Sequence, residues 1–208
     1  MARFEIPEGW SAQAFCFALD LSPAQAACLR RQFGGRRYAR NWAVRTLKED
    51  LDRYQESGEQ IAAPSLAGLR KGWNQVKDAE CTDAATGQVW WPQVSKEAFA
   101  DGIKAAVDGY WNWQASRAGK RAGKRAGFPR FAKKGRDRDR DRVTFTTGAI
   151  RVEPGRRHVT LPRAGTVRVH ENTRRLQRLL TKGRARILAV TVSRQGTSQG
   201  RRQAPSRL

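Results

Sequence analysis

The sequence predicts an α+β protein: one short strand, a helical stretch, then a strand-rich stretch forming an antiparallel sheet or small barrel. Three observations predict it. Apolar residues recur at helical spacing between residues 22 and 116. From residue 143 onward, β-branched residues alternate with period two between Gly and Pro punctuation. Between these stretches, residues 117–142 are too basic to bury, with twelve Lys or Arg against three Asp.

Residues 1–12 read as an N-terminal extension. They carry Glu5 and Glu8 and lack a signal peptide's apolar core, so a cytoplasmic protein is expected. Residues 13–20, QAFCFALD, alternate loosely and predict the first strand. Ser22-Pro23-Ala24-Gln25 then starts a helix: Ser as cap, Pro at the first helical position, Gln three residues after the cap. Leu29, Phe33, Ala43, Leu47, Leu51 and Tyr54 carry its apolar stripe, with a break or kink expected at Gly34-Gly35. Arg30, Arg31, Arg36, Arg37, Arg40 and Arg45 are expected to make its outer surface positive, and Asn41 to read a base or cap a loop.

Residues 55–64 read as a loop, and Ser65 begins a second helix. A loop at 81–88 and the pair Trp90-Trp91 lead to a third helix from Ser95. Val94, Ala98, Ile103, Ala106, Val107, Tyr110 and Trp113 form its apolar face; these aromatics read as core rather than as base-stacking surfaces. In the basic hinge that follows, Lys-Arg pairs alternate with Ala-Gly and flank Phe128 and Phe131, with the rings expected to anchor the hinge on the barrel. Strands are expected at 143–153, 158–170 and 185–195, with a short helix between the last two. The six basic residues and no acid from Arg174 to Arg186 suit a barrel that binds nucleic acid. Residues 196–208 lack any period and read as a disordered tail.

A formal net charge of +22 over 208 residues points to a polyanionic partner, and nucleic acid is the usual one. No run reaches the roughly 18 apolar residues of a membrane span. Cys16, Cys28 and Cys81 are isolated and distant from either His, which argues against a zinc site or a disulfide framework and for buried, reduced thiols. GKRAGK lacks the spacing and trailing Ser or Thr of a phosphate-binding loop, and no nucleophile–base pattern is evident. No cofactor, small-molecule substrate or membrane partner is expected.

Five runs in one colinear order, RYARNWAV, WWPQVSKEAF, AGFPRFAKKGRDR, FTTGAIRV with HVTLPRAGTVRVHE, and ARILAVTVSR, resemble the TnpB (OrfB) family of insertion-sequence transposases. That family comprises RNA-guided DNA nucleases related to type V CRISPR effectors. The resemblance covers roughly residues 14–194, and GFPRF with its lysines is its most specific motif. It implies a small antiparallel β-barrel, the wedge domain, interrupted by a helical recognition lobe. Residues 13–20 would be the first wedge strand, 22–116 the lobe, 117–142 the hinge and 143–195 the remaining wedge strands. Wedge and lobe together hold guide RNA and contact the short duplex beside the target, while pairing to the guide supplies most of the sequence specificity.

The family's RuvC-like domain, with three separated acids that hold Mg²⁺, and its paired C-x-x-C zinc element do not follow in this sequence. The expectation is therefore a non-enzymatic, truncated N-terminal fragment that retains binding to guide RNA and target-adjacent DNA. Lys120, Arg121, Lys124, Arg125, Arg130, Lys133 and Lys134 are the expected phosphate contacts. Arg37, Arg40, Asn41, Ser95 and Lys96 are candidates for contact with the target-adjacent duplex or the guide. A stand-alone DNA-binding regulator of a mobile element and a decayed, non-functional product also fit the sequence.

Overall fold

The structure, a computed structural model, describes residues 6–58, 63–134, 141–146 and 150–194. In order, these form strand β1 (Leu19–Asp20), helices α1 (Pro23–Ser57), α2 (Leu66–Glu80) and α3 (Lys96–Arg117), strands β2 (Arg142–Phe145), β3 (Arg151–Val152), β4 (His158–Leu161) and β5 (Gly165–Val169), helix α4 (Arg174–Thr181) and strand β6 (Val190–Ser193). A single 3-10 turn, Trp91–Gln93, precedes α3. The architecture is mixed α+β with two antiparallel sheets, and no closed barrel is traced among the described residues. The chain divides into two compact units, one from Met1–Ala26 with Gly148–Leu188, the other from Ala27–Thr147 with Ala189–Leu208.

The first unit is built on a four-stranded sheet of order β1-β5-β4-β3. Its centre is the β4–β5 hairpin, with Val159 opposite Val167 and Leu161 opposite Gly165. Gly165 has φ +70, a conformation that Gly enters without strain. In β5, buried Val167 and Val169 alternate with exposed Thr166 and Arg168, as a half-buried strand requires, whereas Thr160 and Leu161 of β4 are both buried. The expected strand at 13–20 contracts to Leu19–Asp20, paired with Val169 and Arg168. Two contacts extend the tie: the Ala18 N–H donates to Glu171 Oε2 at 2.8 Å, and its carbonyl accepts from the His170 N–H at 3.0 Å. Phe15 and Phe17, which suggested a longer strand, instead stack on each other at 6.5 Å between centroids.

The start of α1 matches its sequence signature. The Ser22 hydroxyl accepts from the Gln25 N–H at 3.3 Å, and the Gln25 side chain accepts from the Ser22 N–H at 3.1 Å. Ser65 and Ser95 cap α2 and α3 in the same manner, accepting from the N–H groups of Gly68 and Glu97.

The second unit packs α1, α2 and α3 around Leu29, Phe33, Val44, Leu47, Trp73, Phe99 and Ile103, all buried. Trp73 joins Trp42 at 5.3 Å and Phe99 at 5.2 Å, so these rings are core. Trp90 packs on Tyr38 and Phe99, whereas Trp91 is fixed by its indole N–H on Asp78 and by Lys77 over its ring. A two-stranded ribbon completes the unit, β2 against β6, with Val143, Phe145 and Val192 buried.

Further expectations change. α1 runs unbroken through Gly34-Gly35, because Gly35 serves close packing: a Cβ there would lie 2.5 Å from Val94 Cγ1. Gly102 plays the same part on α3, where a Cβ would lie 2.1 Å from the Arg36 carbonyl oxygen. The strand expected across 143–153 is two strands in different sheets, β2 pairing with β6 and β3 with β4, and the strand expected across 158–170 is the β4–β5 hairpin. Of the three cysteines only Cys81 is buried; Cys16 is exposed and Cys28 intermediate. The disordered tail expected at 196–208, and most of the Asp-Arg repeat, lie outside the described residues.

Candidate nucleic-acid interface

The C-terminus of α3 begins the candidate interface. Gly119 is left-handed at φ +66, and the helix closes with the Gly119 N–H on the Ser116 carbonyl and the Lys120 N–H on the Ala115 carbonyl. This is a Schellman ending, which requires a residue free of Cβ strain at that position. The chain emerges as a strap, residues 120–134, without regular structure.

Interior contacts pin the strap at successive points. The Ala126 N–H donates to the Ser116 hydroxyl at 2.9 Å. Phe128 packs edge-on against Trp113 and Tyr110, at 5.1 and 6.3 Å between centroids. Pro129 covers Gly109, where a Cβ would approach its Cγ to 3.0 Å. Arg40 Nη1 donates to the Arg130 carbonyl at 2.8 Å. Asn41 then closes both backbone groups of Ala132, with Nδ2 donating to its carbonyl at 3.0 Å and Oδ1 accepting from its N–H at 2.7 Å. The anchor of the hinge is thus α1 and α3, where a barrel contact was expected, and Phe128 alone of the two Phe rings supplies it. Phe131 stays 52% exposed.

With its backbone held inward, the strap turns its charges outward. Lys120, Arg121, Lys124, Arg125, Arg130, Lys133 and Lys134 are all exposed, and none forms an ion pair among the described residues. Arg121 donates to the Lys124 carbonyl at 2.8 Å, which fixes the turn between the two Lys-Arg pairs.

The other candidates divide. Lys96 is exposed at the start of α3. Ser95 is buried, its hydroxyl capping α3 and its N–H donating to Gln32 at 2.8 Å. Arg37 donates to Asp141 at 3.0 Å, and Asp141 also takes Arg194 at 2.5 Å. Arg36, expected on the positive outer surface, is buried on Asp101 at 2.6 Å, and Arg45 pairs with Glu80. Arg36, Arg37 and Arg40 therefore bind the fold, while Arg30, Arg31 and Arg45 stay exposed as expected. Asp101 also accepts from the Thr144 N–H, and Glu97 from the Thr146 N–H and hydroxyl, so carboxylates on α3 fasten β2. Spacing along the chain gave no signal of these acids, because each partner is remote in sequence.

Two groups beside this region titrate abnormally. Burial, then the neighbouring Glu80 and Asp78 carboxylates, push the Cys81 thiol up to about 12. Burial and the hydrogen bond to Glu80 push the Tyr38 phenol up to about 12. In the first unit, α4 presents Arg174, Arg175 and Arg178 to solvent, followed by exposed Lys182, Arg184 and Arg186. It too ends in a left-handed glycine, Gly183, with the Arg184 N–H on the Leu179 carbonyl. Among the described residues no three His, Cys, Asp or Glu side chains gather as a metal site, and no helix is long and apolar enough to cross a membrane.

No protein-family model matches the chain. It is 62% identical over 197 residues to proteins of Mycobacterium tuberculosis strains H37Rv and CDC 1551, each named "Putative RNA-guided DNA endonuclease". The aligned region takes in 95% of the chain but spans only 42% of the length of those relatives.

Proposed function

We propose that the chain supplies the nucleic-acid-binding part of a TnpB-like RNA-guided system, holding guide RNA and the duplex beside its target without itself cutting DNA. The strap carries this reading: seven exposed cations on a backbone pinned from Ser116, Arg40 and Asn41. A pinned row of cations contacts phosphates with little ordering of the chain on binding, and phosphate contact supplies affinity without sequence choice. The names of the 62% identical relatives supply the class of partner. In this reading Arg40 and Asn41 position the strap, while the lysines and arginines of the strap, with Lys96, touch nucleic acid.

Salt dependence tests it. Substituting Lys120, Arg121, Lys124 and Arg125 together by Gln is expected to weaken RNA binding and to flatten the plot of log affinity against log salt by about three units of slope, at roughly 0.7–0.9 per lost phosphate contact. An unchanged slope overturns the assignment. Guide RNA favoured over duplex DNA separates this reading from a stand-alone DNA-binding regulator.

A further inference from the structure

We infer that Phe131 and the pocket beside it form a slot for one unstacked nucleobase of a single strand, an inference that rests on the nucleic-acid reading above. The pocket, of about 240 Å³, is lined by Tyr38, Asn41, Trp42, Arg45, Glu80 and Phe131. That is below the roughly 300–1,000 Å³ of sites for drug-sized ligands.

Phe131 and Tyr38 are 52% and 37% exposed, an unfavourable state for aromatic rings held in place. Both are nevertheless fixed. Phe131 sits between Arg130, whose carbonyl takes Arg40, and Ala132, whose N–H and carbonyl are both closed by Asn41. The Tyr38 hydroxyl is bound to Glu80, donating to its carbonyl at 2.7 Å and lying 3.0 Å from its carboxylate. Arg45 and Glu80 pair with each other in the lining, so the pocket offers no net charge to an ion.

A neutral, flat, π-bearing occupant suits these walls. The cations adjoining Phe131 in the strap, Arg130, Lys133 and Lys134, are exposed and complement the phosphates on either side of such a base. This charge favours a nucleobase over an apolar peptide side chain. Stacking on an aromatic ring binds any base, since each has a π-face.

The test uses the full chain and short fluorescein-labelled oligonucleotides. These are base-bearing single strands, in RNA and DNA forms, an abasic single strand of equal length, and a duplex. Phe131→Ala is expected to weaken binding of the base-bearing single strands about five- to tenfold, leaving the abasic strand and duplex unchanged. Phe131→Trp keeps a stacking face and is expected to retain the affinity. The RNA and DNA arms show which strand supplies the base. Equal loss on all probes would mean that the ring merely props the strap, and no loss on any would mean that the pocket serves another occupant; either result overturns the slot. Thermal melting of the variants shows whether they fold; should Phe131→Ala fail, Phe131→Leu, which keeps apolar bulk without a π-face, carries the comparison and is expected to weaken the base-bearing single strands alone. A wild-type chain that binds none of the probes removes the underlying reading as well, whereas binding indifferent to Phe131 removes the slot alone.

Discussion

Asn41 shows what a single residue discloses and what it withholds. Its place on a helix was legible, and so were its two alternatives, a base or a loop. The choice between them depended on Ala132, 91 positions away, which no local pattern can foretell. Arg36 and Arg37 were harder, since an arginine on a helix looks alike whether it meets solvent or a buried carboxylate. Cys81 carries a testable consequence at the same scale. The thiol's ordinary value of 9.0 applies to the unfolded chain, while the folded chain holds it near 12. Above pH 9 the unfolded state therefore binds fewer protons, and stability falls as the pH rises towards 12. Tyr38 adds to the fall from its ordinary 10.0 upward. Urea melts between about pH 8 and pH 11 are expected to show this loss, and Cys81→Ala to show a shallower one.

Among the elements, the helices were readable because their starts are local. Ser22, Ser65 and Ser95 each cap the turn that follows. The strands were less so. β2 finds its partner in β6, and β1 in β5, so where each strand begins and ends is decided by distant chain. The strap's charge was evident in the sequence, but its order was not, because the Asn41, Ser116 and Tyr110 contacts that fix it lie on two helices. Asn41→Ala is expected to destabilise the protein by about 1–3 kcal/mol, having left both backbone groups of Ala132 without their partner. It is also expected to weaken nucleic-acid binding while leaving the salt slope intact, since no cation is lost. Urea melts and salt titrations check the two effects separately.

At the scale of the whole molecule, charge is the dominant quantity. A formal +22 repels itself, and exposed ion pairs such as Arg168–Asp20 offset little, at about 0–1 kcal/mol each. A polyanion that binds the folded state is expected to raise the melting temperature. At about a hundred times its dissociation constant, the gain near 2.7 kcal/mol amounts to roughly 5–10 °C. Heparin, with neutral dextran as the control, makes the measurement; equal shifts from both would deny the electrostatic origin.

Asp141 receives both Arg37 and Arg194, and Arg142 begins β2 directly after it. What docks there is one Asp-Arg dipeptide, the last of the three in DRDRDR. Copying errors in a short repeat add or remove whole units. The unit next to β2 has the same two residues whichever copy is gained or lost upstream. The carboxylate that Arg37 and Arg194 share is thus specified by the unit adjoining β2 and by none of the units before it.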